Sequence, residues 1–269
     1  MIIQTLPIEE YHSSAPAWLS KTTLRYYEDN GPAWFKLYLD RQITPPKPGG
    51  VEQGLALDCL LTENGADFDA RFAVKPKGLD GRTKEGKAWA EANAGKAILS
   101  DDDMLILADA AAAVRALPCW SEIEKSMAQA TIRRHSPALG LGLQSRPDWL
   151  HASSGRVRDL KKTRDLSRFG AQAIDLGYHL QASVGGWCLA GDGIGMEQAS
   201  LVAVEWQRGA RAREYIIPQE ALEYADRRMR DTAAEISGRL ACNDWTDIQA
   251  APEMLAIPQY LLNRMEYDK

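Results

Sequence analysis

Arg146-Pro147-Asp148-Trp149-Leu150-His151-Ala152-Ser153-Ser154-Gly155-Arg156-Val157-Arg158-Asp159-Leu160-Lys161 is the stretch on which the reading of this chain turns. Ser153, Ser154 and Gly155 form a turn cluster, and the midpoint between Asp148 and Asp159 falls between Ser153 and Ser154. A regular antiparallel hairpin folded about that point makes Asp148 and Asp159 cross-strand neighbours, with Cβ atoms roughly 5 Å apart. Like charges so placed destabilise a sheet unless a cation lies between them or protons are taken up. Side chains alternate along a strand, so Lys161 joins Asp159 on one face while Leu160 turns to the opposite, core side. Paired carboxylate oxygens suit Mg2+, with Mn2+ as a substitute, and such an ion would bridge phosphate oxygens and activate a water. Lys161 would orient that water or offset the charge that develops. Acid pairs also flank hairpins that hold no metal, so these three residues alone leave both readings open.

Working outward, Ala128 to Ile132 and Leu139 to Leu150 read as strands before the turn, and Arg156 to Lys162 as the strand after it. A helix over Phe169 to Leu189, strands over Leu201 to Trp206 and Ala212 to Ile217, and a long amphipathic helix from Gln219 to Cys242 follow. Upstream, Ser100 with Asp101, Asp102 and Asp103 starts a helix that runs towards Leu117 and stops at Pro118. Arg71 to Lys87 is rich in Lys and Arg and punctuated by Pro76, Gly78 and Gly81, which predicts a basic, mobile loop. A helix from about Val51 carries Asp58. Before it, Leu19 to Leu39 is helical, with Ser20 as N-cap and a break at Pro32, and Ile43 to Gly50 is a breaker-rich loop. Strands wrapped by helices imply an α/β (α+β) fold with a mixed central sheet flanked by helices. One domain over 1–269 is expected, with a helical entry segment and loop over 1–50, a core over 51–245 and an irregular tail over 246–269.

The 269 residues are 45% hydrophobic and 26% charged, which excludes extensive disorder. No secretory leader or membrane-length apolar run is apparent, so a cytoplasmic location and no membrane partner are expected. Cys59, Cys119, Cys188 and Cys242 have no CxxC or zinc-finger spacing and read as reduced thiols. A net charge of −5 argues against nucleic-acid binding over the whole surface. Locally, however, Arg156, Arg158, Lys161, Lys162, Arg164 and Arg168 face only Asp159 and Asp165, a cationic strip suited to a phosphate backbone. The plainer reading is a solvated strand edge kept from aggregating by its charges; Arg133 and Arg134 on the neighbouring strand favour the first. Ser20 and Lys21 offer a helix N-terminus to a terminal phosphate, although Ser20 serves equally as a plain cap.

The spacing Pro147-Asp148, ten residues, Asp159-Leu160-Lys161 resembles the PD-(D/E)XK nuclease signature. Further residues are similar to one branch, the nuclease domain of RecE (exonuclease VIII): Tyr11-His12, Ser20-Lys21, Gly54 to Asp58, Arg71-Phe72, Arg82-Thr83, Gly86-Lys87, Leu117-Pro118, Thr163, Tyr178-His179 with Gln181, and Asp244-Trp245. The resemblance runs from about Tyr11 to Trp245. It implies a PD-(D/E)XK core and a Mg2+-dependent 5′-to-3′ exodeoxyribonuclease that digests one strand of linear duplex DNA from its end. It further implies 3′ overhangs handed to a single-strand annealing protein of the RecT type, and a ring-shaped homo-oligomer, a tetramer favoured. In that pattern the metal is held by Asp148, Asp159 and the Leu160 carbonyl, Lys161 is the catalytic lysine, and Gln181 helps position the site. Tyr178 and Arg82 join Arg156, Arg158, Lys162, Arg164, Ser20 and Lys21 as candidates for DNA contact. Three residues depart from the pattern. Asp58 stands where a histidine is usual, an anionic ligand that suits Mg2+, while Gln129 replaces a glutamate and Gly185 a tyrosine. The alternatives are a DNA-end binder of the same fold with weakened or no catalysis, a phage protein that reuses the fold for another purpose, and an endonuclease of the superfamily.

Overall fold

The computed structural model describes residues 1–3, 6–45, 51–63, 65, 68–247 and 259. The breaker-rich residues 46–50 and nearly all of the expected irregular tail lie outside them. The first half of the chain runs β1 (Ile2–Ile3), α1 (Ile8–Ser13), β2 (Trp18–Leu19), α2 (Lys21–Leu39), α3 (Val51–Thr62), α4 (Phe68–Arg71), β3 (Phe72–Lys75), α5 (Lys84–Ala92), β4 (Ala97–Ser100) and α6 (Asp101–Arg115). The second half runs α7 (Trp120–Ile123), β5 (Met127–Ala128), β6 (Thr131–Ser136), β7 (Leu141–Ser145), β8 (Trp149–His151), β9 (Arg156–Thr163), α8 (Phe169–Asp175), α9 (Tyr178–Ala190), β10 (Gln198–Glu205), β11 (Ala212–Ile216) and α10 (Gln219–Cys242).

Local chemistry accounts for most boundaries. Ser20 opens α2 through a reciprocal capping box with Thr23, and Ser100 does the same for α6 with Asp103. Within α2 the backbone leaves helical geometry at Gly31 (φ 81°), one residue before the expected Pro32, because proline disfavours helical backbone in the residue preceding it. The helix expected over Phe169 to Leu189 is two helices, since Gly177 takes the left-handed conformation (φ 67°) between α8 and α9. The basic stretch from Arg71 is also corrected. Phe72 to Lys75 is a strand paired in parallel with β4, and the burial of Phe72 and Ala73 outweighs the surrounding charge.

The central sheet has the order β11-β10-β9-β8-β5, and a second sheet the order β1-β6-β7-β2. β9 and β10 are parallel, while β8 pairs antiparallel with β9 through Trp149↔Arg158, Leu150↔Val157 and His151↔Arg156. One further step of that register sets Asp148 opposite Asp159, as the turn residues predict. Alternation gives the sheet two apolar faces. Leu150, Val157, Leu201 and Ala203 join a core with Leu180, Val184 and Met229 of α9 and α10. Trp149, Leu160, Val202 and Val204 join another with Leu57 of α3 and Leu107 and Val114 of α6. Leu150, wholly buried next to the aspartate-bearing segment, ties register to stability. Leu150→Ala is expected to lower the unfolding free energy by about 2–5 kcal/mol in urea titrations.

Candidate functional site

Asp148 sits where the chain leaves one sheet at Ser145 and enters the other at Trp149. A matching interruption separates β5 from β6, where Gln129 adopts a positive φ of 52°. The two breaks are joined, since the Gln129 amide N–H donates to the Asp148 carbonyl (3.0 Å). Where the ladder splits, carboxylates find room inside an otherwise apolar layer. Asp148 Oδ2 accepts from the Leu160 amide (2.6 Å) and Oδ1 from Gln129 Nε2 (2.9 Å), whose own Oε1 accepts from Arg146 Nε (3.1 Å). Asp159 Oδ1 accepts from Gln181 Nε2 on α9 (2.7 Å) and lies 3.7 Å from Lys161 Nζ. Asp148 is 9% and Asp159 4% exposed, so neither charge is dispersed by water.

Electrostatics follow from that burial. Asp148 is pushed up to about 6 by loss of solvent and by the neighbouring Asp159 charge, against the pull of Lys161 and its hydrogen-bond donors. Asp159 rises for want of solvent, although Lys161 opposes this. Asp58 is raised well above the usual carboxylate range by burial and then by Asp148, which places this α3 residue within the same field. Burial alone would lower Lys161, but Asp159 and Asp148 hold its ammonium charged. Lys21 is pushed down to about 8 by burial and by Lys161, against a weaker opposing pull from Asp159 and Asp29. Both ammoniums lie over the Tyr178 ring, Lys161 Nζ at 4.9 Å and Lys21 Nζ at 5.5 Å from its centroid.

The structure thus brings Asp148, Asp159, Lys161, Gln181, Tyr178, Lys21 and Asp58 together. The Leu160 side chain lies in the core and its amide anchors Asp148. Ser20 hydrogen-bonds Thr23 as a cap. Arg82, 91% exposed, pairs with Asp80 of its own turn. Lys162 points to the other face of β9, donating to Gln53 Oε1 (2.6 Å), and Arg164 is exposed beyond the strand end. Gly185 packs against β7, where a Cβ would come within 3.3 Å of Ser145 Oγ, so α9 lies close to the sheet there.

The expectation of a continuous cationic strip is corrected at Arg156 and Arg158. Alternation turns both away from Lys161. Arg158, 3% exposed, binds Glu122 (2.5 Å) and Glu214 (2.8 Å), while Arg156 binds Glu122 (3.1 Å) and Glu197 (2.8 Å). These guanidiniums are structural counter-ions, and the glutamates that neutralise them are too distant in sequence to be foreseen. Sequence reasoning also missed what Gln129 and Tyr11 do. Gln129 holds Asp148 from a left-handed backbone, for which no local signal exists. Tyr11 is raised in pKa by burial, by Cys188 and by Asp159, so its phenol too lies in the field of the site.

Among the described residues, no three His, Cys, Asp or Glu side chains stand close enough to hold a metal ion by themselves. The donors suited to a hard divalent cation are therefore the Asp148–Asp159 pair and a backbone oxygen. That set is all oxygen, Lys161 compensates its charge only in part, and it fits such an ion.

No family model and no curated protein matches this chain. Among solved structures, a candidate exonuclease from Eubacterium rectale superposes with a TM-score of 0.65 over 97% of this chain and 98% of that one, at 12% identity. A phage-related exonuclease from Haemophilus somnus 129PT is 14% identical over 70% of this chain and 94% of its own, with a TM-score of 0.34. The first likeness shows the fold alone, a mixed α/β architecture of strands wrapped by helices.

Because the folded-state pKa of Asp148 lies above its unfolded value, the native state takes up a proton first. Without divalent cation Asp148 should therefore add stability as pH falls through about 6 towards the ordinary carboxylate range at about 4, and Asp148→Asn should remove that part of the slope in thermal denaturation. Arg158→Leu should cost roughly 3–5 kcal/mol in chemical denaturation, because it strips two partly buried glutamates of their shared cation. A surface arginine that only touched DNA would show no such loss.

Proposed function

We propose that the chain is a metal-dependent nuclease acting on linear double-stranded DNA. The observation that carries this reading is the buried pair Asp148 and Asp159, facing each other in register, raised in pKa and accompanied by Lys161 at 3.7 Å. The fold shared with a protein described as a candidate exonuclease supports it. Asp148, Asp159 and the Leu160 carbonyl would hold Mg2+ or Mn2+; Asp58, expected as a further ligand, does not stand close enough to join the pair in direct coordination and would act through its charge. Bound there, a divalent ion supplies Lewis acidity at the phosphate and an activated water near neutral pH.

The chain's own residues do the rest. Leu160 N–H and Gln129 fix Asp148, Gln181 fixes the Asp159 rotamer, and such outer partners orient ligand oxygens. Lys161, kept charged by its two aspartates, faces the phosphate to offset charge in the transition state and to orient the attacking water. Tyr178 supports that ammonium from beneath, and Lys21 adds a second positive group for phosphate. The finer assignment rests on the resemblance to RecE. It comprises 5′-to-3′ digestion of one strand, 3′ overhangs for an annealing partner of the RecT type, and a ring-shaped homo-oligomer. A DNA-end binder without catalysis is the second reading. It is favoured by Gln129, whose amide engages an Asp148 oxygen that an ion would need.

End-labelled linear duplex incubated with Mg2+ should release nucleotides, and covalently closed circles should resist. Asp159→Ala should abolish release, and Lys161→Ala should slow it by about 100- to 1000-fold. Equal rates for native protein and Asp159→Ala would sink the proposal, and binding without release would leave the second reading in its place.

A further inference from the structure

A groove of about 1290 Å³ lies beyond the carboxyl ends of the parallel strands β9 and β10, between the start of α3 and helix α8. Crevices outside the carboxyl ends of parallel strands are the usual ligand sites of open α/β sheets. This one exceeds the roughly 300–1,000 Å³ of small-molecule pockets, which favours a segment of polymer as its occupant. Lys162, Arg164 and Arg168 line it against Asp165 and Asp175. Asp165 is pinned by the amide and hydroxyl of Ser167 (2.8 and 2.7 Å). Arg164 and Arg168, past the end of β9, are exposed, and among the described residues neither guanidinium stands in a salt bridge, unlike Arg156 and Arg158 within the strand.

The inner wall is rigid. The Trp206 amide donates to the Thr163 carbonyl (2.9 Å), while Gln53 bridges Asp103 (2.7 Å) and Lys162 (2.6 Å). Lys162 Nζ lies 5.2 Å from the centre of the Trp206 ring. An aromatic wall combined with exposed guanidiniums outside any salt bridge matches a single nucleic-acid strand, whose base faces and phosphates are both open, better than a duplex, whose base faces are stacked away. The groove is linked to the candidate catalytic centre through α3: Gln53 lines the groove, and Asp58, five residues and about 7.5 Å further along the helix axis, lies in the field of Asp148.

We infer that this groove is a single-strand subsite, in which Arg164 and Arg168 hold the phosphates of one DNA strand against the Trp206 and Lys162 wall as it passes the Asp148–Asp159 centre. The inference rests on the nuclease reading for its context, and its test is kept separate from catalysis. The full chain is titrated in EDTA, so that no hydrolysis intervenes, into a fluorescent oligothymidylate and separately into a blunt hairpin duplex, with anisotropy as readout.

Arg164→Ala/Arg168→Ala should weaken oligothymidylate binding by about tenfold and flatten the slope of log affinity against log salt by about 1.4, at about 0.7 for each phosphate no longer neutralised. The hairpin affinity should stay unchanged, and Arg164→Lys/Arg168→Lys should restore most of the oligothymidylate binding. No binding of oligothymidylate by the native chain, or an unchanged affinity in the alanine variant, overturns the subsite. Equal losses on both probes overturn the single-strand assignment. Digestion that depends on Asp159 together with an inert groove would remove this inference alone, and a working groove without digestion would remove only the nuclease reading.

Discussion

Two carboxylates forced to face each other inside a sheet are the constraint around which this protein is organised. Asp148 and Asp159 are buried and opposite, and the charge of each opposes ionisation of the other. Such an arrangement is costly unless something offsets it. The chain offsets part of it with Lys161, Gln181, Gln129 and the Leu160 amide. The remainder is a demand for a proton or a cation, and that residual demand gives the site its chemistry.

The fold explains why the pair is tolerated at all. Strands that would run uninterrupted through a single sheet are each broken, between Ser145 and Trp149 and between Ala128 and Thr131, and the chain changes sheets at both places. At the break the alternation of side chains continues, so Asp159 and Lys161 stay on the face that elsewhere carries Val157 and Leu150. The aspartates occupy positions that would be core residues a few ångströms away, and helix α9 closes over them with Gln181 instead of an apolar side chain.

The distribution of arginines shows the same logic. Along β9 the residues nearest the turn, Arg156 and Arg158, are enclosed by glutamates from α7, β11 and the segment before β10, because a buried guanidinium needs paired acceptors. Past the strand end the basic residues Arg164 and Arg168 are exposed and carry no such partners among the described residues. One run of like charge in the sequence is thus split into a structural half and an accessible half by nothing more than where the sheet ends.

Local chemistry by itself determined the turn at Ser153 to Gly155, hence the hairpin register, the facing aspartates and the shared face of Asp159 and Lys161. Alternation and turn residues act over a few positions and need no distant partner. The caps at Ser20 and Ser100, the helix bearing Asp58 and the full extent of α10 were legible for the same reason. Only the tertiary structure decided that Gln129 would reach Asp148, that Lys21 and Lys161 would share the Tyr178 ring, and that Arg158 would be neutralised by Glu122 and Glu214. Those contacts join residues tens to more than a hundred positions apart, some through a positive φ without a glycine. Their partners are chosen by packing in three dimensions, about which a linear pattern of charge and hydrophobicity is silent.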